Sequence, residues 1–291
     1  ASDITRADAG PFEDGTQAER AVSHADFFFF DEAGNPFNVT GNPATTPGGG
    51  INHLKATNVT FTKDSETTDD DDISDTSTPV LLLQTYKGEY PSQIVAVLNW
   101  SPDDKESYSL GELHAAVNIT GEFDSKDYFV MSNAVYAQGT TPVYATPLTM
   151  ENIKTTEEAA LGAPVNIYVE RVAAKVKLNA NPKYDLSANV QYQPLGQQSK
   201  IEGGVFAKIL GWDLYRDNSQ SKLLKEIDGA WTTATIGFNW NDEPWYRSYW
   251  AISEAAPNND QIFSTSPFAP GAHTYIGENT TGKATCTKAV I

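Results

Sequence analysis

Residues 164–178 read Pro164-Val165-Asn166-Ile167-Tyr168-Val169-Glu170-Arg171-Val172-Ala173-Ala174-Lys175-Val176-Lys177-Leu178. Apolar side chains first fall on odd positions (Val165, Ile167, Val169) and then on even ones (Val172, Ala174, Val176, Leu178). A period of two is the signature of a strand with one buried face. A change of parity needs an extra unpaired residue or a change of buried face. The segment therefore predicts either a bulge near Glu170–Arg171 or a strand that passes from one core to another. Taken as a crossing between cores, it divides the chain into a domain at 1–178 and a second at 179–291.

Upstream, four consecutive phenylalanines (Phe27 to Phe30) predict a strand covered on both faces, and Glu32-Ala33-Gly34-Asn35-Pro36 reads as the turn that ends it. Val80-Leu81-Leu82-Leu83 and Ile94-Val95-Ala96-Val97-Leu98 predict two more buried strands, with others at 205–215, 230–240, 245–252 and 285–291. The best helix runs from Ser109 to Val117, where Ser109 and Glu112 have capping-box spacing. A second helical turn is expected at Thr155 to Leu161, stopping at Gly162. Residues 1–18 are polar and predict a flexible start. Many short strands, abundant turn chemistry and one or two short helices are the pattern of a mainly β protein of the sandwich kind.

The composition narrows the partners. The chain has 291 residues, with 20 basic and 38 acidic ones and a net charge of −18. That sign opposes binding to nucleic acid or unassisted docking on an anionic membrane. Aromatic residues make up 11%, more than disordered chains carry. No apolar run approaches the ~20 residues of a membrane-spanning helix. The single cysteine, Cys286, excludes a disulfide scaffold within the chain and a zinc site built mainly from cysteine.

No motif demands catalysis. The acidic stretch 64–75 offers Asp69, Asp71 and Asp75 as calcium ligands, but the EF-hand glycine and terminal glutamate are missing. A solvated charge run is the plainer reading. The four histidines (His24, His53, His114, His273) form no His-x-x-x-His pair. There is no Gly-x-Ser-x-Gly elbow and no phosphate loop. The abundance of carboxylates makes a glycosidase pair uninformative. Trp240, Trp245 and Trp250 could stack on sugars or equally fill a sandwich core. These readings imply no enzyme and no cofactor.

Four segments in succession carry a resemblance: Tyr128-Phe129-Val130-Met131-Ser132-Asn133, then Val165 to Val176, then Tyr246-Arg247-Ser248-Tyr249-Trp250-Ala251, then Tyr275-Ile276-Gly277-Glu278-Asn279-Thr280. Together with the strand Phe27 to Phe30 and its Asp31–Gly34 end, this succession resembles the fimbrillins of Bacteroidales, the type V pilins, and among them the major subunits of the short fimbriae. The resemblance covers residues 20–291. It implies two transthyretin-like β-sandwich domains, the second incomplete because family members continue beyond the Glu-Asn-Thr motif. It implies export as a lipoprotein precursor to the cell surface and assembly into a fimbrium. It further implies that an arginine-specific protease removes an N-terminal strand, and that a strand from a neighbouring copy fills the groove left behind.

Under that resemblance Ala1, Arg6 and Arg20 mark candidate processing points, although Arg6 and Arg20 also read as ordinary surface arginines. The groove would be lined by core-strand residues such as Val22, Phe28, Phe30, Val95, Val97, Val169 and Val172. Which parity faces it is not legible from the sequence. The implied partners are other copies of the chain, accessory tip and anchor subunits, the maturation protease, and host or bacterial surface receptors. A tip adhesin of the same fold, binding carbohydrate through Trp240, Trp245 and Trp250, is the alternative.

Overall fold

The computed structural model describes residues 16–40, 51–57, 59–63, 75–85, 88–100, 105–119, 128–133, 136–138, 141–177, 190–192, 205–207, 211–215, 220–227, 248–251, 266–267, 273–277 and 288–290. Within them the chain is mainly β, its strands pair antiparallel, and its helices are short. The strands of the first part are β1 (Ala25–Phe30), β2 (His53–Ala56), β3 (Thr62–Lys63), β4 (Asp75–Thr76), β5 (Gln93–Leu98) and β6 (Val117–Ile119). Then come β7 (Met131–Asn133), β8 (Tyr136–Gln138), β9 (Thr141–Val143), β10 (Thr146–Pro147), β11 (Val169–Arg171) and β12 (Ala174–Lys177). The remainder are β13 (Val190–Tyr192), β14 (Val205–Ala207), β15 (Gly211–Tyr215), β16 (Gln220–Ile227), β17 (Ser248–Ala251), β18 (Ser266–Pro267), β19 (His273–Ile276) and β20 (Lys288–Val290). The helices are α1 (Gln17–Arg20), α2 (Leu110–Ala115) and α3 (Glu157–Leu161).

Two compact units divide the chain. One holds Ala1–Asn118, Ser125–Val172 and Lys222–Trp250, and the other Ile119–Asp124, Ala173–Ser221 and Ala251–Ile291. The boundary after Val172 falls inside the segment whose parity switches. β11 pairs with β7 in the first unit, whereas β12 pairs with β19 in the second. The switch therefore marks a chain that leaves one sheet and joins another. The first unit also takes in 222–250, because Leu223 and Leu224 are buried in its core and the Leu223 N–H donates to Ala116 O. The second unit contains the pairs β12–β19 and β13–β14 and the three-stranded set β18-β15-β20.

The first unit is built on a sheet of order β11-β7-β5-β1-β2, with β10 also pairing to β5. β1 lies between β2 and β5 and is buried along its whole length, as the run of phenylalanines predicts. Its even residues Phe28 and Phe30 join Val95, Val97, Tyr108, Leu113, Val130, Val172, Leu223 and Leu224 in one core. Its odd residues Ala25, Phe27 and Phe29 join Ile94, Ala96, Leu98 and Met131 in another. Two of the helices fall where the sequence reading puts them, although α2 ends at Ala115 and Val117 opens β6. Ser109 and Glu112 close a reciprocal capping box on α2, and Thr156 caps α3, which ends at Gly162.

Three expectations are corrected. Of the stretch read as a flexible start, Thr16 to Ala18 belong to a capped helical turn, because the Thr16 and Glu19 side chains satisfy each other's backbone N–H groups, while 1–15 lie outside the described residues. The strand expected at 205–215 is two, β14 and β15, which pair with different partners, and the one expected at 230–240 lies outside the described residues. Val80–Leu83 is not a buried strand: among the described residues it pairs with no strand, Val80 is 42% exposed and Leu82 is 80% exposed. Three adjacent leucines look buried in one dimension, but only Leu81 and Leu83 reach the core. The intervening side chain must point the other way.

Three asparagines repair gaps in the sheet. β5 changes neighbour part-way along its length, from β7 at Val97–Leu98 to β10 at Gln93–Ile94. At the junction the Asn133 side chain accepts from Ala96 N–H at 2.7 Å and donates to Thr146 Oγ1. Buried Asn52 donates to Phe29 O and Tyr108 O and accepts from Tyr108 N–H. Asn99, held at φ 60°, accepts from Ser23 N–H and donates to Ala21 O and Phe129 O, fastening the chain that enters β1. Asn133→Ala leaves a buried N–H without an acceptor, so a loss of about 1–3 kcal/mol in unfolding free energy is expected by urea titration. A midpoint unchanged from the parent would show that the Ala96 amide finds another partner.

Candidate functional site

The two faces of the main sheet are closed differently. On the Phe28–Phe30 face the core lies under α2, β16 and the loop carrying Tyr108, and its members are almost wholly buried. The Phe27–Phe29 face is roofed instead by half-buried apolar side chains from irregular chain: Val22, Phe37, Val59, Phe61, Leu81, Leu83, Val165 and Ile167. Two of these roofing segments are extended and alternate. In one, Leu81 and Leu83 turn inward while Leu82 faces water. In the other, Val165, Ile167 and Val169 turn inward while Tyr168 is 52% exposed.

These segments lie toward opposite sides of the sheet. Leu83 leads into Gln84, whose N–H donates to Val39 O, and Val39 N–H in turn donates to Ile51 O beside β2. Val165–Tyr168 runs directly into β11, at the far edge of the strand order. Among the described residues, neither Leu81–Leu83 nor Val165–Tyr168 has a backbone hydrogen-bond partner. Extended chain with unpaired N–H and C=O groups over an apolar floor can accept another strand.

The seven residues expected to line a groove divide between the two faces. Phe28, Phe30, Val95, Val97 and Val172 belong to the fully covered core, while Val22, in the roof, and Val169, on β11, pack on the other face. Sequence reasoning does not reach Leu81 and Leu83 as exposed-edge residues. The alternation of Val165 and Ile167 is visible in the sequence, but not the lack of a partner strand beside it.

Arg20 ends α1, and its guanidinium meets both oxygens of Asp75 at 2.7 Å, so the Asp75 carboxylate is already engaged. Ala1, Arg6, Asp69, Asp71, Trp240 and Trp245 lie outside the described residues, as does the side chain of Trp250. Among the described residues, no group of three His, Cys, Asp or Glu side chains is placed to hold a metal ion. None of the described helices is long and apolar enough to cross a membrane.

Two arrangements invite a catalytic reading. Ser23 Oγ lies 2.8 Å from His24 Nδ1, and Asp26 Oδ2 lies 3.5 Å from His24 Nε2. Nε2 is closer to Trp100 O, at 2.8 Å, and the serine oxygen also reaches Asn99 Oδ1 at 3.2 Å. The serine is thus engaged by the sheet's own asparagine, and the imidazole is turned to a backbone carbonyl. The set holds the entry of β1 in place. Elsewhere, an open cleft of about 320 Å³ is lined by Glu32, Ser92, Gln93, Leu110, Val143, Tyr144, Ala145 and Pro147. Among the described residues Glu32 is its one carboxylate, and Gln93 Nε2 donates to Glu32 O.

No protein-family model matches the chain, and no curated protein matches it in sequence. Among solved structures, it is similar to a fimbrial assembly protein from Parabacteroides distasonis ATCC 8503, at 13% identity and a TM-score of 0.40, over 91% of this chain and 72% of that one.

Proposed function

We propose that this chain is a structural fimbrial subunit, without catalytic activity, that polymerises at the cell surface by accepting a strand from a neighbouring copy. The observation that carries the reading is the pair of segments Leu81–Leu83 and Val165–Ile167, apolar on one side and, among the described residues, without backbone hydrogen-bond partners. A strand entering between them would gain main-chain hydrogen bonds and seat alternate side chains on the Phe27–Phe29 face. A subunit that accepts at one place and donates from another makes a heterologous contact, and such a contact grows into a filament when it does not close. The net charge of −18 keeps free subunits apart and gives the filament an acidic surface. The succession of segments that resembles the Bacteroidales fimbrillins supports the same reading, including export as a lipoprotein precursor, a role in adhesion, and tip and anchor subunits as partners.

Maturation by an arginine-specific protease is part of the proposal. Arg20 is a poor substrate in this conformation. It sits in a capped turn with its guanidinium bound to Asp75, whereas proteases take extended, exposed chain. The reading therefore places processing upstream of α1. Incubated with an arginine-specific protease, the chain is expected to give ladders that resist SDS on a gel. A chain that is cut yet stays monomeric sinks the shaft reading, and specific signals on a glycan array would then favour the tip adhesin.

A further inference from the structure

Asp26 occupies an unusual place for an acid. It stands inside β1, between Lys55 of β2 and Val97 of β5, and is 1% exposed. Its neighbours along the strand are apolar, and no hydrogen-bond donor reaches its Oδ2. His24, on the same chain, has Nε2 at 3.5 Å but spends that nitrogen on Trp100 O at 2.8 Å. β2 contributes Lys55, whose side chain is exposed, and His53, which stacks on Phe28 at 5.3 Å and whose own buried Nδ1 has no partner. β5 contributes only aliphatic residues opposite this point. A buried carboxylate with so little to neutralise it is costly as an anion, and cheap relief is available by taking up a proton.

We propose that Asp26 is a proton-binding site in the central strand, which makes the seat of β1 tighter in acid than at neutral pH. Burial is the largest influence on this carboxyl and raises its pKa, against smaller opposing effects from Lys55, His24 and His53. The sign follows. A carboxyl whose folded pKa lies above its unfolded one contributes fully below the unfolded value, and that contribution is lost as pH rises through the folded value. The entry of β1 is tied to Asn99 and Trp100 through Ser23 and His24, so the effect is felt where the chain joins the sheet. This inference does not rest on the fimbrial reading, and its test involves no assembly.

The test compares the whole chain with Asp26→Asn by chemical denaturation from pH 4.5 to 8. Asn is nearly the same size and cannot ionise. The variant is expected to be more stable at pH 7.5, by about tenfold in the unfolding equilibrium, and to lose the parent's decline between acid and neutral pH. A variant less stable at pH 7.5, with the parent's pH slope retained, overturns the proposal, because Asp26 would then be an ionised partner of Lys55 or His24. Should the variant fail to fold, the carboxyl carbon of Asp26 is titrated by NMR in the parent. An inflection above the ordinary aspartate value of about 3.9 supports the site, and one at or below it overturns the site.

Discussion

Phe28→Ala is expected to cost the first unit about 3–5 kcal/mol of stability, the range found when a buried aromatic is truncated. Phe28 is fully buried at the centre of the sheet, opposite His53 on one side and Val95 on the other. Its ring stacks on His53 at 5.3 Å, meets Tyr108 edge-on at 5.5 Å and lies 6.2 Å from Trp100. Alanine would remove the ring from all three contacts at once, and the flanking strands cannot close the gap without giving up their register. The loss is a large fraction of the about 5–15 kcal/mol that holds a typical protein folded. Thermal unfolding followed by near-ultraviolet circular dichroism reads it directly. A fall under about 1 kcal/mol would mean that the neighbouring rings collapse into the space.

The second large effect is on assembly rather than on folding. Ile167→Asp is expected to reduce SDS-resistant ladders at least about tenfold while the free subunit stays folded. Ile167 is only half-buried, so an aspartate there can reach water in the monomer. Once a neighbouring strand covers it, the charge must be desolvated without a partner, which costs several kcal/mol. Tyr168→Ser, on the opposite side of the same segment, serves as the control and is expected to polymerise as the parent does. Ladders of normal intensity from a folded Ile167→Asp protein would show that the seam beside Val165–Tyr168 does not accept a strand.

Between these two residues lies the difference between what is legible in one dimension and what is not. Phe28 can be chosen from the sequence, because a run of four phenylalanines has no stable place except a strand with cores on both sides. The capping box of Ser109 and Glu112 is legible for a similar reason, since three residues of spacing contain the whole interaction. Leu82 shows the opposite case. It sits between two leucines that are packed, yet it faces solvent, because the fold supplies a core on one side of that segment only. The asparagines are silent in the sequence. Asn133 matters because β5 exchanges one neighbour for another at that point, and Asn99 because chain from Ala21 and Phe129 converges on it. Asp26 stands in the sequence as an acid beside four phenylalanines, but its want of a donor depends on where the Trp100 carbonyl draws His24.

Period and composition alone settled that the chain is mainly β, that its first strong strand is covered on both sides, and that its apolar parity switches between Val169 and Val172. These are local facts, carried by side chains within a few residues of one another. Only the tertiary structure decided which sheet each half of that segment joins, which face of the first sheet is roofed, among the described residues, by irregular chain, and which buried acid has an oxygen without a hydrogen-bond donor. Those outcomes depend on contacts between residues far apart in the chain, and a linear pattern constrains neighbours rather than distant partners.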